Sequence, residues 1–217
     1  MIIHVLQHLD FETAGAISEW AAHRSHELRI IRADLGEILP RPGETDLLIV
    51  LGGFFEFSTY GPPWFENEKK ILRAHMDAET KIFAICGGAQ LMASLMGGSI
   101  FASAQPEIGW HSLLYEDVRY LAFHWHSYSF SLPPRSRSVS SSIATDVQGF
   151  RFGKHSLAVQ FHPEITDQLV RDFNLRLSTP SSLSRHVQTE AEMMQQLELG
   201  MKSSLLLLEK ILSSFEE

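Results

Sequence analysis

The chain holds one cysteine in 217 residues. A single thiol cannot close an internal disulfide, so no disulfide framework supports the fold, and a reducing, cytoplasmic setting is expected. Long apolar runs are also missing: nothing approaches the roughly 18 consecutive apolar residues that a membrane span needs. LLLLEKIL near the end is short and interrupted by charge. No basic leader or cleavable apolar stretch opens the sequence, and no internal repeat is visible. Positive charge is scarce, with 18 Lys and Arg against 26 Asp and Glu and a formal net charge of −8. Nucleic acid, whose phosphates demand a basic stripe, is therefore not an expected partner, and neither is a membrane.

What is present is ordinary for a soluble globular chain, with 44% apolar and 20% charged residues. The length allows one large domain with a sizeable core. Short apolar, β-branched runs at 2–6, 27–31, 46–51 and 81–85 read as buried strands. Helical spacing covers 11–24, 64–76 and 87–96, and Pro40, Pro42 and Gly43 mark a loop. This alternation predicts an α/β fold with a mostly parallel central sheet flanked by helices. The second half is richer in β patterning. Strands are expected at 110–118 and 120–130, followed by a hairpin around Gly153-Lys154 that ends near Phe161. The Ser-rich stretch 135–142 reads as a polar loop entering a strand. A helix is expected at 166–177, a loop at 178–184, and one Met- and Leu-rich helix from Thr189 almost to the end, with 185–217 forming a helical extension of a single domain.

Cys86 sits where the strand 81–85 meets a helix, directly before Gly87-Gly88-Ala89. In open α/β sheets, sites form at the carboxyl ends of strands. A sharp strand-to-helix turn exposes its junction residue and tolerates only small neighbours. A thiol there feels the positive end of the helix dipole, which favours the thiolate. The N–H that follows, on Gly87, can stabilise an oxyanion. Such a nucleophile needs a base, and the best candidate lies in Q160-F161-H162-P163-E164. His162 and Glu164, two apart on extended chain, face the same way, so the carboxylate can orient the imidazole. The plainer readings are a cysteine acting as a small buried hydrophobe, and HPE as a simple turn. The combination is more specific than any one of its members.

Taken with further motifs, these residues resemble the triad-type class I glutamine amidotransferase domains, in particular a stand-alone, GMP-synthase-like subgroup. The motifs are A84-I85-C86-G87-G88-A89-Q90, F161-H162-P163-E164, L51-G52-G53, V5-L6-Q7-H8, E107-I108-G109-W110 and F123-H124-W125-H126. The resemblance spans about 2–175. It implies a flavodoxin-like fold with an added β-rich second half. It also implies a γ-glutamyl thioester on Cys86, proton transfer by His162, and orientation of His162 by Glu164. Gly53 and Gly87 would form the oxyanion hole, and Gln90 would contact glutamine. No cofactor or metal is implied. The ammonia acceptor would belong to a separate synthetase subunit, since the sequence leaves no room for one after the resembling region.

The chain departs from the family pattern at Phe54-Phe55-Glu56-Phe57 after Gly-Gly, at Gly87 after the cysteine, and at His126-Ser127-Tyr128, where the family has His-Gly-Asp. That last loop implies contacts to the substrate's α-amino and α-carboxylate groups, so His126, Ser127 and Tyr128 are candidate substrate-binding residues in a reshaped cradle. The aromatic run at 54–57 can line an entrance or fill a loop core. His124 and His126 share a strand face, but two ligands are too few for a metal site. Alternatives remain open: hydrolysis of γ-glutamyl peptides or another amide, a non-catalytic regulatory subunit keeping the fold, and the PfpI-like proteins, which place a cysteine on a similar elbow.

Overall fold

The computed structural model describes residues 1–53, 63–177 and 185–216. Among them, nine strands form one sheet. In chain order they are β1 (Ile2–Gln7), β2 (Glu27–Arg32), β3 (Leu47–Val50), β4 (Lys81–Ile85), β5 (Ile100–Tyr115), β6 (Val118–Phe130), β7 (Arg137–Ser142), β8 (Gly149–Phe152) and β9 (Ser156–Val159). Their spatial order is β2-β1-β3-β4-β9-β8-β7-β5-β6. The run from β2 to β9 is parallel, with Val5 opposite both Ile30 and Ile49. From β9 onward every pairing is antiparallel. The β-rich second half is thus not a separate layer but a continuation of the parallel sheet through β9.

The helices are α1 (Ala16–His23), α2 (Pro63–Asp77), α3 (Gly87–Leu95), α4 (Asp167–Arg176), α5 (Glu190–Gln195) and α6 (Leu197–Ser213). Alternate residues of the parallel strands point to opposite faces, and both faces are covered. Ile3, Val5, Ile49, Phe83 and Val159 pack with α1 and α6 through Ile17, Trp20, Leu207, Ile211 and Leu212. Leu6, Leu48, Val50, Ile82 and Ala84 pack with α2 and α3 through Phe65, Leu72, Leu91 and Met92. Burial on both faces explains why these strands read as unbroken apolar runs. A third cluster joins Ile108, Trp110, Phe123 and Trp125 of β5 and β6 to Leu169, Val170 and Phe173 of α4 and to Met193 of α5.

Several boundaries differ from the sequence expectation. The first helix begins at Ala16, not Phe11, because the chain turns through Gly15 at φ 49° and the Ala16 N–H donates to the Glu164 carbonyl at 2.9 Å. Strand β5 starts ten residues earlier than its pattern suggested; its first half is largely exposed and carries no apolar alternation. The Ser-rich stretch forms most of β7, paired on both sides. The C-terminal helix is two helices divided at Gln196, the first opened by a reciprocal Thr189–Glu192 cap. The expected loop at 178–184 and the aromatic run at 54–57 lie outside the described residues. No described helix is long and apolar enough to cross a membrane.

Candidate functional site

Cys86 closes β4 and caps α3 with φ 50° and ψ −111°, a conformation that costs a non-glycine residue free energy and persists only where its surroundings enforce it. Its N–H donates to the Val159 carbonyl at 2.8 Å, and its carbonyl accepts from the Gln90 N–H at 3.0 Å, so the last sheet bond and the first helix bond pin the turn from both sides. Close packing beneath the turn requires Gly88: a Cβ there would overlap the Val50 carbonyl oxygen.

His162 follows β9. Its N–H donates to the Phe123 carbonyl at 2.8 Å, tying it to the middle of β6. Phe173 of α4 packs edge-on against the imidazole with centroids 5.0 Å apart. Nδ1 lies 2.7 Å from Oε1 of Glu164, and both side chains are fully buried. Nε2 is buried and carries no hydrogen bond. Burial alone would depress this imidazole, but the Glu164 carboxylate and then Cys86 outweigh it and hold the His162 pKa well above its ordinary value. The structure therefore brings Cys86, His162 and Glu164 into one electrostatic unit.

Gly52 and Gly53 follow β3 beside the turn. A Cβ on Gly53 would stand 2.9 Å from the His8 Cβ, and one on Gly52 would overlap Oε1 of Glu12 and lie 3.3 Å from the Cys86 Cβ. Two groups that sequence reasoning did not single out as site residues support this strand. His8 Nδ1 lies 2.9 Å from the Gly52 carbonyl oxygen, and its Nε2 lies 3.0 Å from Glu68 of α2. Desolvation works against the charge on His8, but hydrogen bonding and attraction from Glu68 prevail and raise its pKa. Glu12, buried on the turn between β1 and α1, places Oε1 4.0 Å from His162 Nδ1 with no hydrogen bond of its own. Burial pushes its pKa up to about 7, against the attraction of His162. The acidic stretch L9-D10-F11-E12 is a local signal, but read as helix it gave no reason to place Glu12 against His162.

The candidate cradle residues separate. Gln90 is buried, and its amide donates to the Tyr128 carbonyl at 3.2 Å and to Gln160 Oε1 at 3.1 Å. Gln160 in turn donates to Cys86 Sγ at 3.6 Å. Tyr128 is 51% exposed and Ser127 partly buried. His126 faces inward instead: its Nε2 lies 3.6 Å from Glu107 Oε2 and 3.4 Å from His124 Nδ1, and burial lowers its pKa to about 3. His124 is likewise driven well below its ordinary value, first by burial and then by repulsion from His126.

Glu107, His124 and His126 supply the third potential ligand that the His-x-His pair lacked in sequence. Glu107 Oε2, however, already accepts from Gln148 Nε2 at 2.6 Å and from the Thr145 hydroxyl at 2.7 Å, and that same amide lies 3.5 Å from His126 Nε2. The arrangement works as a buried hydrogen-bond network beneath the cradle strand. The other potential ligand set, Glu12, His162 and Glu164, is the candidate acid–base centre itself. A separate cleft lined by Ala33, Asp34, Leu39, Trp64 and Asn67 shares no residue with the triad.

Comparison with known proteins agrees with this geometry. The family described as "Glutamine amidotransferase class-I" matches residues 8–177. The glutamine amidotransferase-like protein YfeJ of Salmonella typhimurium is 27% identical over 187 residues, covering 78% of each chain. A glutamine-hydrolyzing GMP synthase subunit of Ignicoccus hospitalis is 31% identical over 137 residues, covering 58% of this chain and 70% of that one. A solved glutamine amido transferase structure from Methylobacillus flagellatus superposes with a TM-score of 0.89 at 20% identity, over 99% of this chain and 94% of its own, which shows the fold. The chain belongs to the class I glutamine amidotransferase family.

Proposed function

We propose that the protein hydrolyses a glutamine-type side-chain amide through a thioester on Cys86. The observation that carries this reading is His162: its Nδ1 is fixed by Glu164 at 2.7 Å, its Nε2 is unengaged, and it is electrostatically linked to the cysteine of a strained strand-to-helix turn.

The steps follow from those residues. Cys86 gives its proton to His162 Nε2, and the thiolate attacks the amide carbon. The carbonyl π electrons move onto oxygen, which the N–H groups of Gly53 and Gly87 receive. As the tetrahedral intermediate collapses, the carbon–nitrogen bond breaks, His162 returns the proton to the departing nitrogen, and ammonia leaves. His162, now neutral, takes a proton from water. The resulting hydroxide attacks the thioester, the carbon–sulfur bond breaks, and the acid product departs. No step requires a metal or organic cofactor. The relatives named as GMP synthase proteins support an acceptor on a separate synthetase subunit that consumes the ammonia.

A second substrate reading has its own support. The Gln90 amide is committed to Tyr128 and Gln160, and the Tyr128 ring is half exposed beside it. This cradle favours a γ-glutamyl compound larger than free glutamine. Ammonia release from L-glutamine, measured beside a Cys86→Ala control, tests the first reading. Release that disappears in the variant supports it. No release from the wild type, with cleavage of γ-glutamyl peptides, supports the second. Turnover that survives Cys86→Ala overturns both.

A further inference from the structure

Glu12 is a buried carboxyl outside the triad, and it touches the site on two sides. Its Oε1 lies 4.0 Å from His162 Nδ1, on the side where Glu164 is already bonded, and it packs so closely on Gly52 that a Cβ there would overlap it. One oxygen of Glu12, one nitrogen of His162 and one oxygen of Glu164 lie within 4.8 Å of one another. Oε1 of Glu12 and Oε2 of Glu164 are both buried without a hydrogen-bond partner. Two carboxyl groups thus share one imidazole, and the free oxygen on each is the kind of orphan acceptor that a buried site rarely leaves unexplained.

We propose that Glu12 is a positioning residue whose ionisation controls the charge state of His162 and, through it, the reactivity of Cys86. When neutral, Glu12 has a proton to offer the unpartnered oxygen of Glu164, which leaves a single negative charge beside the imidazole. When ionised, it adds a second negative charge 4.0 Å from Nδ1 and strengthens the imidazolium, the form that holds the cysteine as a thiolate and later donates to the leaving nitrogen. The same charge opposes the neutral imidazole needed to activate water.

The groups that face Glu12 are few. His162 attracts its charge, Glu164 repels it, and His8 attracts it from the far side of Gly52. Cys86 lies across Gly52, and Asp10 is already paired with Arg176 at the surface. With those surroundings its titration falls near neutrality. It is linked to that of His162, so the protons belong to the pair and not to either residue alone.

The proposal rests on the reading of Cys86 and His162 as a nucleophile–base pair, and its test separates the two. The rate of Cys86 alkylation by iodoacetamide, an uncharged probe that needs no substrate pocket, is measured from pH 5.5 to 9 in the wild type and in Glu12→Gln, Glu12→Asp and His162→Gln. The wild type should show a rise of about threefold or more near pH 7 beyond the ionisation of the thiol itself. That step should be absent in Glu12→Gln and present but displaced in Glu12→Asp. A merely structural Glu12 would scale the whole profile without removing the step. Parallel wild-type and Glu12→Gln profiles, with an altered His162→Gln profile, overturn this proposal alone; an unaltered His162→Gln profile overturns the pair itself. If Glu12→Gln does not fold, the wild type still decides. Its infrared spectrum should show a protonated carboxylic acid at pH 6 that disappears by pH 8.5, and a spectrum without it contradicts the proposal.

Discussion

The carbonyl oxygen of Gly52 is held 2.9 Å from Nδ1 of His8. On its other side the same imidazole meets the Glu68 carboxylate at 3.0 and 3.1 Å, so both ring nitrogens face oxygens that can only accept. Both nitrogens must then donate, which makes His8 a buried imidazolium whose charge Glu68 balances. The glycine strand beside Cys86 is braced from α2 through this ion pair, and Trp64 stacks on the ring at 5.7 Å.

Glu68→Gln should therefore be costly. Removing one partner of a buried pair leaves a charge uncompensated, at about 3–5 kcal/mol. Because the folded pKa of His8 is raised, the stabilisation is complete below its unfolded value near 6.5 and fades as pH rises through the higher folded value. The gap in Tm between wild type and variant should be widest at acidic pH and narrow at alkaline pH. A gap that does not change with pH would show that His8 is neutral.

Glu12 has the opposite sign. Its folded pKa, near 7, is above the ordinary 4.5, so ionising it costs the folded state about 3 kcal/mol, using roughly 1.4 kcal/mol per unit. The cost is absent below the unfolded pKa and complete above the folded one. Glu12→Gln should accordingly melt higher than the wild type at pH 8.5 and close to it at pH 4.5. Equal shifts at both values would place the Glu12 pKa at its ordinary value.

Gly88→Ala should destabilise the protein by about 1–3 kcal/mol or more, because backbone lies on both sides of the new methyl group and neither side can move away cheaply. A urea midpoint unchanged from wild type would mean that α3 can lift off β3 without loss.

Phe173→Ala should cost about 3–5 kcal/mol for the lost burial. It also removes the ring that seats His162, so the rate of Cys86 modification should fall more than stability alone explains. Loss of stability with unaltered Cys86 reactivity would assign Phe173 to packing only.

The parts of this molecule that are legible in sequence are the local ones. β1, β3 and β4 are buried on both faces, and a run such as LLIV has no other stable place to go. The turn at Cys86 was readable because strand, thiol and two glycines are contiguous, and His162 and Glu164 because extended chain turns residues two apart to the same side. The supporting parts were not readable. Glu12 and His162 are far apart in the chain and meet only because α1 starts against the Glu164 carbonyl. Glu68 lies on a helix whose polar residues look solvated in sequence, and only the sheet order places it under His8. His126 matched a cradle motif, yet the ladder of β5 and β6 turns it toward Glu107. The exposed first half of β5 gave no alternation to read because neither of its faces is fully buried.

The most direct test of the central claim is covalent. The protein is incubated with an electrophilic glutamine analogue and the modified peptide is identified by mass. The account predicts a single adduct on Cys86 that forms faster than with an ordinary thiol, is blocked by excess substrate amide and is slowed severely by His162→Gln. Labelling at the pace of an unactivated cysteine, indifferent to substrate and to His162, would contradict it.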